Sequence, residues 1–176
     1  MIKFSFYHFF MFESIQWIYS CRDIMTKENT SEEKVVFFMI RFGMKQEDVN
    51  YRYARMVFGV CFKDQHFLLV RNDKGEYFLP GGEMEVNEQE AQCLLREFEI
   101  ETGYKAFLSK CIGRAEHHYD QDGENIQQEA SFYEVSLKRR NKIAAGYDLT
   151  WMTKEMARER LLLEHHKWAI EQVNHF

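Results

Sequence analysis

The sequence predicts an α/β (α+β) fold in which a mixed β-sheet lies between helices. Short runs of valine, phenylalanine and leucine, separated by turn residues, predict a sheet built largely of hairpins. One amphipathic helix is predicted in the middle of the chain and another at its end, which fits a sheet sandwiched between helices. The length of 176 residues suits a single domain.

Composition narrows the class of protein. With 45% apolar residues, 29% charged residues and one proline, the chain resembles an ordinary soluble globular protein. A net charge of −5 gives no electrostatic reason to expect a nucleic-acid polymer, although small anions remain possible through a metal. The four cysteines show no CxxC spacing, which predicts free thiols in a reducing cytoplasm.

The first 43 residues do not follow a clear pattern. The stretch 1–12 is rich in phenylalanine, lacks the features of a signal peptide, and is far shorter than the about 20 residues of a membrane helix. We therefore predict no targeting segment and no membrane partner. Two interpretations of 1–43 remain open: an over-called reading frame before a start at Met39 or Met44, or an added helix that packs on the domain or on a second subunit. The folded domain is predicted over 44–176.

The strands follow in order from Ala54. Six runs rich in apolar and β-branched residues predict strands, at 54–62, 67–70, 77–79, 106–115, 130–137 and 149–152. Three connections are predicted as turns or loops from their polar residues, at 72–75, 117–125 and 138–142, the last a basic, solvated turn. The short connection at 63–65 predicts that the first two strands form a hairpin.

The central helix is predicted over 88–102, with Asn87 as its N-cap and Gly103 just past its end. Cys93 falls on the apolar side of this helix, so we interpret it as a core residue. Glu97 and Glu101 stand four residues apart, one turn above each other on one face. Because two carboxylates placed this way repel each other, the pattern favours a site for a cation.

The end of the chain predicts a second helix, capped by Thr153. Its apolar face comprises Met156, Leu161, Leu162, Trp168, Ile170 and Val173. Two adjacent histidine pairs, His117-His118 and His165-His166, also stand out. Neighbouring residues point in different directions, so neither pair chelates one ion easily, and we predict surface or substrate-edge positions for them.

The stretch from Gly82 to Tyr104 resembles the Nudix box. That pattern is a Gly, five residues, a Glu, seven residues, Arg-Glu, an apolar residue, any residue, Glu-Glu, any residue, Gly and an apolar residue. The positions in register are Gly82, Glu88, Arg96, Glu97, Phe98, Glu101, Gly103 and Tyr104. Ile100 stands where the family has the first glutamate of its Glu-Glu pair. The chain is identified as a member of the Nudix (MutT-like) hydrolase family.

The resemblance implies a Nudix-like α/β/α sandwich and a metal-dependent enzyme. The implied reaction cleaves the diphosphate linkage of a nucleoside diphosphate joined to another group, in the cytoplasm. Glu97, Glu101 and the carbonyl of Gly81 would bind Mg²⁺ or Mn²⁺. The glycines would let the backbone approach the phosphate.

Two further box residues are implied to support the metal ligands. Arg96 resembles the family's orienting arginine, and Glu88 resembles the acidic position that accepts hydrogen bonds behind the ligands. Gly82 is implied to bind phosphate together with Gly81. The general base stays open between Glu97 and a carboxylate from a distant loop.

The departures from the box leave two interpretations of function. Glu99 does not replace the carboxylate missing at Ile100, because it points roughly 200° around the helix from Glu97. At a second position where the family has a glutamate, this chain has Ala144. Asp148, Glu124 or Glu129 could supply a carboxylate to the site from nearby loops instead. The protein is then either a working hydrolase with fewer ligands or an impaired domain that binds a nucleotide-like ligand as a sensor.

The choice among the family's substrate classes rests only on elimination. Nucleoside triphosphates, including oxidised ones, are favoured because nothing in the sequence indicates a more specialised member of the family. Tyr119 lies about where some dinucleoside polyphosphate hydrolases have a tyrosine. One tyrosine in an aromatic-rich chain does not distinguish these substrates.

Overall fold

The computed structural model describes residues 39–140 and 146–173, which form eight strands and three helices. The strands are β1 Met39–Phe42, β2 Arg52–Lys63, β3 His66–Arg71, β4 Tyr77–Phe78, β5 Gly81–Glu83, β6 Tyr104–Gln121, β7 Glu124–Arg140 and β8 Asp148–Thr153. The helices are α1 Glu90–Thr102, α2 Lys154–Arg160 and α3 Glu164–Glu171. Within these ranges, no helix has the length and apolar character needed to cross a bilayer.

The sheet is mixed, as predicted. Its strands follow the order β1-β6-β7-β2-β3-β4, with β5 paired to β2 and β8 paired to β3. The β1–β6 and β2–β7 pairs are parallel, whereas the β6–β7, β2–β3, β2–β5, β3–β4 and β3–β8 pairs are antiparallel.

Alternating residues of β2 separate two apolar layers. Val57 and Cys61 belong to the cluster that contains Phe98 of α1. Phe58 belongs to the opposite cluster, which contains Ile170 of α3. Because successive side chains of a strand point to opposite faces, this division places α1 on one face and α2 with α3 on the other. The predicted α/β/α sandwich is confirmed.

The hairpin formed by β6 and β7 is longer than predicted. Residues 117–125, predicted as a loop, belong to these strands except for the turn at Asp122-Gly123. Both turn residues have positive φ, 54° and 86°, which suits a tight hairpin connection. The predicted turn at 138–142 is wrong in its first half, because β7 continues to Arg140; its remainder lies outside the described residues. Antiparallel pairing outweighs the polar composition in these segments.

The start of α1 also differs from its prediction. Asn87 has φ 64° and lies in a turn, so it does not take the extended conformation of an N-cap. The helix begins at Glu90, and the side-chain oxygen of Gln92 accepts a hydrogen bond from the Gln89 N–H at 3.1 Å. Its end agrees with the prediction, since Gly103 is left-handed with φ 73°.

The predicted C-terminal helix is two helices. Thr153 caps α2 as expected, accepting a hydrogen bond from the Met156 N–H. Leu161 and Leu163 then adopt extended backbone angles before α3 begins. Both leucines are buried. The break between the helices therefore lets both side chains point into the core, whereas a continuous helix would point them in different directions.

The strand β1 lies on the N-terminal side of the predicted domain boundary. It pairs with residues 114–117 of β6, and the Phe42 ring lies 6.0 Å from the His117 ring and 6.5 Å from the Trp168 ring, between centroids. The boundary between 43 and 44 stays a prediction. The predictions for 1–38, including the free thiol of Cys21, fall outside the described residues.

Candidate active site

A cavity of about 710 Å³ opens beside α1 and contains the predicted glycines and acidic residues. Gly81, Gly82, Glu97 and Glu101 all line it, together with residues from the β3–β4 turn, the β6–β7 hairpin and the start of α3. The volume falls within the roughly 300–1,000 Å³ typical of small-molecule sites.

The two glycines lie where a side chain has no room. Gly81 has φ 150°, and a Cβ there would stand 2.1 Å from the carbonyl oxygen of Val57. A Cβ on Gly82 would stand 2.7 Å from the Cδ and Cγ atoms of Glu97. Gly81 therefore lets β5 pair closely with β2, and Gly82 leaves space for the Glu97 carboxylate.

Glu101 is a buried carboxyl group with one backbone partner. Its Oε2 accepts a hydrogen bond from the Gly81 N–H at 2.8 Å, and 7% of the residue is exposed. Burial raises the pKa of Glu101 to about 8; the Gly81 N–H opposes this shift and the charge of Glu97 adds to it. The ionised form therefore lacks a compensating positive charge, which a bound cation would supply.

Arg96 fixes two neighbouring carboxylates. Its Nε and Nη2 atoms each donate to the Glu88 carboxylate at 2.7 Å, and its Nη1 pairs with Glu97. These hydrogen bonds lower the pKa of Glu88 to about 2, with a further contribution from the Glu85 N–H. Arg96 and Glu88 lie outside the lining of the cavity and hold Glu97 from behind.

The positions where the chain departs from the Nudix box do not add a carboxylate to the cavity. Ile100 is 44% exposed and lies outside the cavity lining. Ala144 falls outside the described residues. The three candidate replacements pair elsewhere and do not line the cavity: Asp148 pairs with Arg71, Glu124 with Arg52, and Glu129 with Tyr53.

The cavity is strongly acidic. Seven carboxylate residues line it: Glu76, Glu83, Glu97, Glu101, Asp120, Asp122 and Glu164. Lys74 is the one lysine or arginine among the described lining residues, and its Nζ pairs with Asp122 at 2.6 Å. This excess of negative charge means that an anionic ligand needs accompanying cations.

Several lining residues could not be identified from sequence. Lys74 comes from the β3–β4 turn, and Tyr147 follows an undescribed stretch; burial, Glu101 and Glu97 raise the pKa of its phenol. Only their positions in the folded chain bring them to α1, and no local motif marks them. Tyr119, which the sequence did indicate, also lines the cavity.

The four paired histidines do not lie at the surface, so that alternative of their prediction is wrong, while a position at the substrate edge stays a prediction for His117. All four are less than 10% exposed, although His117 does line the cavity. The Nδ1 atoms of His117 and His165 lie 2.8 Å apart, so one of them carries the shared hydrogen. Burial lowers the pKa of His117 to about 4 and that of His166 to about 3, which keeps both neutral near pH 7.

The family model for the NUDIX domain matches residues 50–174. This match covers well over half of the chain, so the protein belongs to the Nudix family and is a Nudix-type hydrolase. A comparison with curated protein sequences gave no significant match.

Solved structures of Nudix proteins have the same fold. A MutT NUDIX hydrolase from Burkholderia pseudomallei aligns with a TM-score of 0.58 and 21% identity, over 70% of this chain and 99% of that chain. A NUDIX hydrolase from Nitrosomonas europaea aligns with a TM-score of 0.55 and 21% identity, over 69% of this chain and 88% of that chain. A C. elegans Ap4A hydrolase in a binary complex aligns with a TM-score of 0.50 and 15% identity, over 68% of this chain and 93% of that chain.

Proposed function

We propose that this protein is a metal-dependent pyrophosphohydrolase that cleaves the diphosphate linkage of a nucleoside diphosphate joined to another group. Nucleoside triphosphates, oxidised ones included, are the favoured substrates. The observation that supports the proposal is the buried Glu101, held against Gly81 and next to Glu97, in a cavity whose carboxylates far outnumber its cations. An Ap4A hydrolase among the related structures is in line with a nucleotide substrate.

The donor set fits a hard divalent cation. Glu97, Glu101 and the Gly81 carbonyl offer only oxygen, which suits Mg²⁺ or Mn²⁺. Within the described residues, no group of three or more His, Cys, Asp or Glu side chains is arranged to hold a metal ion. We therefore assign two carboxylates and one backbone carbonyl to the ion, and water and substrate phosphate to its other positions. When bound, the ion neutralises phosphate charge and makes a coordinated water more acidic.

The residues of the chain position this chemistry. Arg96 holds Glu97 in place through a direct pair and is itself fixed by Glu88. Gly81 and Gly82 line the cavity, and we assign their backbone to phosphate binding. The Glu97 side chain is 21% exposed and lines the cavity, so the carboxylate oxygen that does not pair with Arg96 can reach a bound cation. Cys61, Cys93 and Cys111 are free thiols, which supports a cytoplasmic location.

A hydrolysis screen with matched variants tests the proposal. Nucleoside triphosphates are incubated with Mg²⁺ or Mn²⁺, and released pyrophosphate is measured. Glu101→Gln is expected to lower kcat/KM by about 100-fold or more, because a metal ligand is lost. Ile100→Glu is expected to raise activity at low metal concentration, since it restores a carboxylate on the edge of α1 nearest Glu97.

Leu95→Glu is the control for added charge. Leu95 is 39% exposed on the same helix, comparable with Ile100, but lies on a different side from Glu97. It should leave activity unchanged. If no nucleotide is hydrolysed while nucleotides still raise the thermal midpoint, the protein binds without turnover and the proposal fails.

A further inference from the structure

The backbone that leads into Gly81 has few hydrogen-bond donors. Between β4 and β5 the chain passes through Leu79 and Pro80. Pro80 has no N–H, and its carbonyl accepts a hydrogen bond from the Gly59 N–H at 2.8 Å. The Leu79 N–H is therefore the last backbone donor before that of Gly81. Leu79 is buried, so this N–H needs a partner within the protein.

That partner is a side chain of α3. The Nδ1 atom of His166 accepts a hydrogen bond from the Leu79 N–H at 3.2 Å, and both residues are buried. A backbone N–H can only donate, so Nδ1 carries no hydrogen and the neutral ring carries its hydrogen on Nε2. The pKa of His166, lowered by burial, fits this state, because a protonated ring could not accept the bond.

Packing alone does not account for a histidine at this position. The ring centroid of His166 lies 4.2 Å from that of Phe58, 5.9 Å from that of Phe132 and 6.2 Å from that of Phe78. Its Nε2 has no hydrogen-bond partner in the described part of the chain, and an aromatic ring is only a weak acceptor for an N–H. A phenylalanine would fill this place without a buried unpaired N–H. What the histidine adds is therefore the acceptor at Nδ1.

The short segment before β5 is bonded to helices on both faces of the sheet. The Leu79 N–H donates to His166 of α3, and the Gly81 N–H donates to Glu101 of α1 at 2.8 Å. Only Pro80 separates these two donors, and its φ is fixed at about −65°. A shift of the Leu79 backbone would therefore move Gly81 away from Glu101.

We propose that His166 is a positioning residue for the active site, because its bond to the Leu79 N–H holds Gly81 against Glu101. His166 is not among the described residues that line the cavity, so it acts through the backbone and touches neither substrate nor ion. The inference rests on the proposed function, in which the Gly81 carbonyl binds the cation. Loss of the acceptor should weaken metal binding even where the core stays filled.

Two replacements of His166 separate the hydrogen bond from packing. His166→Phe keeps an aromatic ring and removes the acceptor. His166→Asn removes the ring and keeps an acceptor, because the Oδ1 of asparagine and the Nδ1 of histidine are each bonded to Cγ. His166→Asn should have the lower thermal midpoint, because loss of the ring leaves a cavity.

The dissociation constant for Mn²⁺, measured by calorimetry, should follow the opposite order. His166→Phe should raise it by about ten- to a hundredfold, as expected when a group that orients a metal ligand is lost, and His166→Asn should stay close to the wild type. If metal affinity falls with the thermal midpoint instead, or if His166→Phe binds Mn²⁺ as the wild type does, the inference is wrong.

Val173→Ala is the control for lost packing. Val173 is buried in the core cluster that contains Ile170 and is not among the described lining residues. Its truncation should lower the thermal midpoint and leave Mn²⁺ affinity unchanged. If His166→Asn does not fold, the comparison of His166→Phe with Val173→Ala decides, and equal affinities in these two proteins overturn the inference.

Hydrogen exchange separates this inference from the proposed reaction. In the metal-free proteins, the Gly81 amide should exchange several-fold faster in His166→Phe than in the wild type, relative to the amides of β2. If the wild-type protein binds no Mn²⁺, the metal-dependent function fails, and exchange at Gly81 alone decides the role of His166. An unchanged rate in His166→Phe would show that Gly81 keeps its place without the histidine.

Discussion

At the scale of single residues, Glu101 shows a conflict between burial and charge. A glutamate that only completed a solvated helix face would be exposed, yet this one is buried against the Gly81 N–H and near Glu97. The spacing of Glu97 and Glu101 could be predicted from sequence because it is local to one helix. The burial could not, since it depends on β5 lying against α1.

The raised pKa of Glu101 predicts that metal binding releases a proton. At pH 7 the free protein holds Glu101 mainly protonated, because its pKa is about 8, and a divalent cation requires the carboxylate. Binding of Mn²⁺ at pH 7 should release about one proton, and affinity should increase as pH rises towards 8. Calorimetry in two buffers of different ionisation enthalpy gives the number of protons.

Glu101→Gln provides the control for this proton. The variant should bind the metal weakly and release no proton on binding. Metal binding by the wild-type protein at pH 7 without proton release would contradict the assignment of Glu101 as the protonated ligand.

At the scale of elements, local pattern and tertiary pairing account for different parts of the fold. The β2–β3 hairpin and the end of α1 could be predicted because apolar runs, turn residues and Gly103 mark them locally. The outer half of the β6–β7 hairpin could not, because its polar residues resemble a loop until backbone pairing is considered. The break between α2 and α3 was missed for a similar reason, since burial of Leu161 and Leu163 sets it.

Two connections meet at the mouth of the cavity, where Lys74 of the β3–β4 turn pairs with Asp122 of the β6–β7 hairpin. We predict that this pair tunes binding of an anionic substrate. Lys74→Met should raise KM for a nucleoside triphosphate several-fold and weaken its salt dependence, because the one lysine or arginine among the described lining residues is lost. Steady-state kinetics at several ionic strengths measure both effects.

Asp122→Asn makes the opposite change at the same contact. It removes a negative charge and frees Lys74, so KM should fall. Both residues are exposed, so neither variant should change the unfolding midpoint appreciably. A rise of KM in both variants would indicate that the contact matters for loop position and not for charge.

At the scale of the whole molecule, two sets of buried groups have opposite effects on the pH dependence of stability. Burial lowers the pKa of His117 to about 4 and of His166 to about 3, and it also lowers the pKa of His118 and His165. The histidines of the unfolded chain then bind more protons than those of the native protein up to about pH 7.5, so these histidines make stability rise with pH as far as that value. Glu101, with its raised pKa, makes stability fall with pH between about 4.5 and 8.

We therefore predict a stability maximum near pH 7 in the absence of metal. Below that pH four histidines outweigh one glutamate, and above it the Glu101 contribution, which lowers the free energy of unfolding by about 1 kcal/mol between pH 7 and 8, outweighs theirs. Urea unfolding of the wild-type protein and of Glu101→Gln at pH 5, 7 and 8 measures both limbs. Glu101→Gln should abolish the fall above pH 7 and keep the rise below it. If the two proteins show the same pH dependence between pH 7 and 8, Glu101 is already ionised in the native state, and the proton release predicted for metal binding at pH 7 would be absent as well.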